Sequence, residues 1–328
     1  MSEFKLIDLF FKSLSEVHPA TKRDDVLLGI GDDCALLNVP VGKQLAVSTD
    51  TLISGVHFPE FTSAEDIAYK SLAVNLSDLA AMGAQPAWCS LAITLPDENK
   101  LWLENFVKGF AELMVQHKVQ LIGGDTTRGA LSITVQVLGF VEAAQALRRD
   151  KACIGDDIYV SGTIGDAGLG LKQILKNKHH KSFCVSRLNR PSPRLVLGEN
   201  LLDISCCAID ISDGLLADLK HITQQSQVGA EIDFNAVPVS EELKAYYAGK
   251  NYWQDILNAG DDYELCFTAA RSQQKNIIEL QKKLNIALTC IGQIVEGNEI
   301  KCLDENKQPI DFLNSGYNHF NDKDENKI

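Results

Sequence analysis

Apolar and polar positions alternate between two periods along this chain, and the switches mark its elements. Residues 2–17 carry Phe4, Ile7, Leu9, Phe11 and Leu14 on one side, which predicts an amphipathic first helix. The run Leu45-Ala46-Val47 predicts a buried strand that ends abruptly in Ser48-Thr49-Asp50-Thr51. Residues 64–82 predict a helix that is apolar nearly all round in its second half, and so buried. Ser71, Asn75 and Asp78 stand four and three residues apart there, so their spacing puts them on one narrow face. A strand over 88–95, an amphipathic helix over 97–117, a short strand over 119–122 and an alternating strand over 131–141 follow. Beyond a basic, small-residue seam at 142–156, strands are predicted over 157–161, 207–211, 265–268, 287–294 and 299–303. Helices are predicted over 215–225 and 272–284, with a polar connection over 176–192. The pattern is a two-domain α+β protein divided into residues 1–148 and 149–328.

Composition narrows the class. The chain has 328 residues, 45% hydrophobic and 23% charged, as a globular protein does. It contains no apolar run long enough to cross a bilayer and no basic lead before an apolar core, so neither membrane insertion nor secretion is expected. A net charge of −13 argues against a nucleic-acid surface. Nine cysteines with no CxxC pair predict reduced, packing thiols in a cytoplasmic protein.

The candidate chemistry lies where apolar segments meet carboxylates. Gly29-Ile30-Gly31-Asp32-Asp33 is a glycine turn with two consecutive acids, and flanking Leu27, Leu28, Ala35 and Leu36 argue against full exposure. The strand over 119–122 runs into Gly123-Gly124-Asp125-Thr126-Thr127-Arg128, where glycine amides and an arginine suit phosphate. Arg148 and Arg149 at the seam are either ligand contacts or ordinary exposed cations. Residues 162–170 hold a G-x-x-G-x-x-G spacing, read as a strand-to-helix turn with modest anion-binding potential. Asp210 sits inside a short strand, and Ser212 or Asp213 is placed to cap the helix after it. Gly260-Asp261-Asp262 leads into the next strand. Any one of these segments reads equally as a turn or a cap. Together, hydroxyls and carboxylates without a Cys/His cluster favour Mg²⁺ or Mn²⁺ over zinc. Several cations held by several acids suit phosphoryl transfer. No P-loop, protein-kinase motif set, G-x-S-x-G or H-E-x-x-H is present.

Six segments carry a resemblance: GIGDDCALL (29–37), STDTLISGVHF (48–58), AVNLSDLAAMGAQP (73–86), LIGGDTTRG (121–129), IDISDGL (209–215) and GDDYELCFT (260–268). In order and content they closely resemble the thiamine-monophosphate kinase family. The resemblance implies ATP-dependent phosphorylation of thiamine monophosphate to thiamine diphosphate, by direct in-line transfer with several Mg²⁺ ions. It implies an aminoimidazole ribonucleotide synthetase-like fold whose N-terminal domains pair in a homodimer, closing a β-barrel between subunits. It assigns Asp33, Ser48, Thr49, Asp50, Asp78, Asp125, Asp210 and Asp213 to Mg²⁺, with Asp50, Asp78 and Asp125 central to catalysis. Gly124, Arg149 and Ser212 fall on ATP-contacting positions, and His57 and Asp261 on positions contacting thiamine monophosphate. Two departures stand out: the family often has glutamate at Asp261, and its substrate-stacking tryptophan falls on Asn314, with Tyr317 nearby. The rivals are another ATP-dependent synthetase of the same superfamily and a non-catalytic nucleotide or thiamine-phosphate binder.

Overall fold

The computed structural model describes residues 7–12, 14, 21–248, 253–304, 306 and 308–310. They form two compact units. The first takes the described chain up to Leu79 together with Ala84–Ala143, and the second takes Ala80–Gly83 and the described chain from Ala144 onward. Of the predicted first helix, Ile7–Lys12 is helical, with the wider i→i+5 turn, and Leu14 is helical and buried; the rest lies outside the described residues.

The first unit opens with a small hairpin, β1 (Val26–Leu28) and β2 (Leu36–Leu37). It continues as β3 (Lys43–Ile53), α1 (Ala64–Ala81), β4 (Gln85–Leu95), α2 (Lys100–His117), β5 (Gln120–Arg128) and β6 (Ser132–Glu142). The strands order β3-β6-β4-β5, antiparallel except for the parallel β4–β5 pair. Burial follows the predicted periods. Leu72, Ala73 and Leu76 of α1 are fully buried, and so are Phe106, Phe110 and Leu113 of α2. Asn99 caps α2 by accepting from the Trp102 amide, and Lys118 ends it in the left-handed region. Ile133, Val135 and Val137 of β6 are buried on one face of the sheet.

Two predicted strands differ in extent. β3 does not stop at Val47; it runs on to Ile53 as an edge strand, so its hydroxyls and acid lie inside the strand. Nor is its apolar start buried, since Leu45 and Val47 are exposed. β5 likewise runs through Gly123-Gly124 to Arg128. Gly124 serves a close approach rather than a turn. A Cβ on Gly124 would lie 1.8 Å from the Leu91 carbonyl oxygen of β4, beside a register shift.

The second unit is a seven-stranded sheet with helices. It contains β7 (Asp157–Ser161), α3 (Asp166–Lys176), α4 (Phe183–Asn189), α5 (Leu195–Leu201), β8 (Cys207–Asp210), α6 (Leu215–Ser226) and β9 (Gly229–Asp233). α7 (Glu241–Tyr246), α8 (Trp253–Leu257), β10 (Leu265–Ala269), α9 (Gln274–Leu284), β11 (Leu288–Val295), β12 (Ile300–Leu303) and β13 (Pro309–Ile310) complete it. The order is β13-β12-β9-β11-β7-β10-β8, with only β12–β9 parallel. Ile158, Val160, Ile209, Leu219, Ile232 and Ile291 form the centre of its core. The stretch 176–192 is not one polar connection: it contains α4, capped by Ser182, whose hydroxyl accepts from the Val185 amide. A seven-residue helix with a single buried side is too short to stand out against the lysines and histidines before it.

Candidate functional site

In the first unit, the polar stripe on α1 faces β3. Ser48 Oγ donates to Asp78 Oδ2 at 2.5 Å. One helical turn away, Asn75 Oδ1 accepts from the Asp50 amide at 3.0 Å, while Asn75 Nδ2 donates to the Ser71 carbonyl at 2.9 Å. Ser48 and Asp50 therefore lie on the helix side of β3. Thr49 and Thr51 lie on the opposite, exposed side, where Gln136 Nε2 donates to Thr49 Oγ1 and Thr51 and Thr134 hydroxyls pair across the strands. After β3, His57 closes a tight turn. Its amide donates to the Ile53 carbonyl and its Nδ1 accepts from the Ile53 amide, both at 3.0 Å. The buried Lys70 of α1 donates to the His57 carbonyl at 3.2 Å.

Asp33 and Asp125 stand apart from that group. Asp32 and Asp33 are exposed, with the Asp33 amide donating to Asp32 Oδ1. The apolar neighbours do not shield them, because Leu27, Leu28 and Leu36 are themselves exposed. Asp125 is exposed on β5, the sheet edge opposite β3. In register, Thr51 aligns through Thr134 and Ala92 with Asp125. Three strand spacings, about 14 Å, separate those edges. Among the described residues, no three His, Cys, Asp or Glu side chains come together as a ready metal-ligand group. Strand order explains this: sequence motifs that look alike were placed on opposite edges of one sheet.

In the second unit the 209–215 and 260–264 segments pair. The Asp261 amide donates to the Ser212 carbonyl and the Tyr263 amide to the Ile211 carbonyl, both at 2.8 Å, and the Ile211 amide donates to the Glu264 carbonyl. The approach is so close that a Cβ on Gly260 would lie 2.4 Å from the Ser212 carbonyl oxygen. Asp261 and Tyr263 both hold left-handed φ, +69° and +49°, a strain concentrated at functional loops. Asp210 is buried at the end of β8, and Ser212 and Asp213 are half-buried.

Three carboxylates here act differently from the sequence reading. Neither Ser212 nor Asp213 caps α6; instead Asp218, one turn into the helix, accepts both of their amides at 2.9 and 3.0 Å. Burial pushes the Asp218 carboxyl up to about 7, the nearby Asp213 adds to the rise, and Arg149 opposes it. Asp262 takes the N-terminus of α3, accepting from the Gly165 amide at 2.7 Å and the Ala167 amide at 3.4 Å. The anion-binding potential read into residues 162–170 is met by the protein's own carboxylate. Glu264 is buried between Arg187 and Arg194. The sequence carried no local signal for Asp218 or Glu264, because their partners lie across a helix turn or 70 to 103 residues away. Asn314 and Tyr317 lie outside the described residues.

Asp262 gives a pH test. Burial pushes its carboxyl from 3.8 up to about 8, against the pull of the Gly165 amide and Arg187. A pKa raised by folding means the folded chain holds the proton more tightly. The contribution to stability is full below the unfolded value and is lost as pH rises through the folded one. Asp262→Asn keeps an acceptor oxygen for Gly165 and cannot titrate. Urea unfolding between about pH 4 and 8 should show stability declining less with pH in the variant than in the parent. Parallel pH profiles would sink this assignment.

Comparison with known proteins agrees with both units. Residues 31–141 match the family described as AIR synthase related protein, N-terminal domain, and residues 154–305 match its C-terminal domain. Thiamine-monophosphate kinase of Haemophilus influenzae is 46% identical over 332 residues, covering 98% of both chains. A crystal structure of thiamine-monophosphate kinase from Stenotrophomonas maltophilia K279a superposes with a TM-score of 0.85 at 46% identity, covering 94% of this chain and 98% of that one. A structure of AaThiL complexed with AMPPCP and TMP superposes at 0.77 with 30% identity, covering 97% of each. With two family domains in order and near-complete coverage at such identity, the chain belongs to the thiamine-monophosphate kinase family.

Proposed function

We propose that this protein transfers the γ-phosphoryl group of ATP to thiamine monophosphate, giving thiamine diphosphate and ADP. The observation that carries the reading is the likeness to a thiamine-monophosphate kinase at 46% identity over 98% of both chains. The nucleotide analogue and TMP named for the AaThiL structure support the same two ligands.

The donor chemistry fits Mg²⁺. Ser48, Thr49, Asp50 and Asp78 offer hard oxygens on one strand and its facing helix, and none of the residues assigned to metal is a cysteine or histidine. In this reading Asp33, Ser48, Thr49, Asp50, Asp78 and Asp125 hold cations in the first unit, and Asp210 and Asp213 in the second. Bound Mg²⁺ supplies neutralisation of charge on the phosphates. Gly124, Arg149 and Ser212 hold ATP, and His57 and Asp261 orient the acceptor. The accepting phosphate oxygen is already anionic, so no side chain need remove a proton, and in-line transfer depends on positioning.

One face of the first sheet supports a homodimer. The exposed face of β3 carries Leu45, Val47 and Ile53, each at least 40% exposed, with Thr49 and Thr51 between Val47 and Ile53. A second copy closing two four-stranded sheets into an eight-stranded barrel would cover that face. Such closure sets an edge of each sheet beside an edge of its partner, so Asp125 of one copy need not act with Asp50 of the same copy. All nine cysteines are free thiols, five of them buried, which supports a reducing, cytoplasmic setting. Among the described residues no helix is long and apolar enough to cross a membrane.

The test is ADP release with ATP, Mg²⁺ and thiamine monophosphate, with the product identified chromatographically. Thiamine diphosphate formed in step with ADP is the expected result. A different phosphorylated or ligated product would favour a sister synthetase, and binding without turnover a non-catalytic binder.

A further inference from the structure

Asn75 is fully buried on α1, and both ends of its amide are used. Its oxygen takes the main-chain N–H of Asp50, and its nitrogen gives to the Ser71 carbonyl of its own helix. A neutral amide donates and accepts at once; a carboxylate in its place would repel the Ser71 oxygen. The amide it holds belongs to β3, an edge strand, which has a neighbouring strand on one side only. A second bridge, Ser48 to Asp78, lies two residues along the strand and three along the helix. The two contacts differ in kind. The Ser48–Asp78 bond uses side-chain oxygens that a cation would also claim. The Asn75 bond uses a backbone N–H, which no cation takes.

We propose that Asn75 is a positioning residue for the metal site: it fixes edge strand β3 against α1 so that the Asp50 and Asp78 carboxylates stay in one register when cations occupy them. This rests on the reading of Asp50 and Asp78 as Mg²⁺ ligands. Asn75 contacts neither the metal nor a substrate. Its effect is to hold the Asp50 segment of β3 close against α1: pairing with β6 sets the register of β3, while the bond to Asn75 ties its free edge to the helix that carries Asp78. Groups that orient ligands in this way commonly govern metal affinity by 10–100-fold.

The probe is Mn²⁺, measured on the full chain by calorimetry or by the loss of its free electron-spin signal. Asn75→Ala should weaken Mn²⁺ binding by about tenfold or more. Leu76→Ala, a fully buried neighbour on the same helix, should lower the melting temperature while leaving Mn²⁺ affinity within about threefold. Equal weakening in both variants, or near-parental affinity in Asn75→Ala, overturns the proposal. The unaltered protein supplies a second measurement should Asn75→Ala fail to fold. Without metal, the Asp50 amide should exchange with deuterium at least about tenfold more slowly than an unstructured amide; exchange near the unstructured rate overturns the proposal. Parent protein that binds no Mn²⁺ would instead sink the metal reading beneath it.

Discussion

Asp50→Ala should lower turnover by on the order of 10³-fold or more while leaving the protein folded. The loss follows from the task assigned to Asp50, which is to hold positive charge against the transferring phosphates where no protein base contributes. The fold should survive because the side chain is half-exposed on an edge strand and lies outside the apolar core. Its backbone contacts, the amide to Asn75 and the pairing with Val135 of β6, use groups that alanine retains. Unfolding free energies of parent and variant should thus agree within about 0.5 kcal/mol, as for surface changes generally. The ADP-release assay and a urea titration measure the two halves. Near-parental turnover would show the metal assignment to be wrong. Lost activity together with lost stability would make Asp50 a structural residue instead.

Glu264→Ala should have the largest effect on stability, a loss of about 3–5 kcal/mol. Glu264 is 1% exposed and sits between two arginines. It accepts from Arg187 Nη2 at 2.7 Å, from Arg194 Nε at 2.6 Å and Nη2 at 2.5 Å, and from Ser161 Oγ at 2.5 Å. Removing the carboxylate leaves two guanidinium groups in a buried space without their anion. The damage reaches the site, because Arg187 also donates to the Asp262 carbonyl at 2.9 Å, and Asp262 ties the 260–264 loop to the start of α3. Gly162 lies against the same carboxylate, so the network leaves little room to repack. Glu264→Gln, which keeps an acceptor oxygen, should lose less. A urea midpoint for Glu264→Ala close to that of the parent would mean the three charges offset their own burial and add nothing.

The two predictions separate the acids that the sequence presents alike. GDD at 31–33 and GDD at 260–262 are the same three letters. The first pair is exposed on a turn. In the second, Asp262 is sealed against a helix end and Asp261 is held in a left-handed conformation beside Ser212. Local pattern cannot tell these apart, because the difference lies in what the rest of the chain brings to each turn.

Much of the first unit was legible. Ser71, Asn75 and Asp78 stand out on α1 because a polar stripe on an otherwise apolar helix must find partners, and it does so on β3. Strand ends were less legible. Ser48 to Thr51 and Gly123 to Arg128 look like loops, since aspartate and glycine are poor strand formers and punctuate both stretches. Both stay in the sheet because cross-strand pairing to β6 and β4 outweighs propensity.

The sequence by itself determined the family, the two-unit α+β division and which oxygen-bearing residues are candidates, because long motifs and hydrophobic period are properties of consecutive residues. Tertiary structure decided where each acid ended up. Ser48 and Asp78 meet across 30 residues, while Asp125 is carried to the far edge of the sheet. Asp218, Asp262 and Glu264 became structural through burial against helix ends, loop amides and arginines. The cost of a buried charge depends on partners that only folding assembles, so no reading of neighbours along the chain could have assigned it.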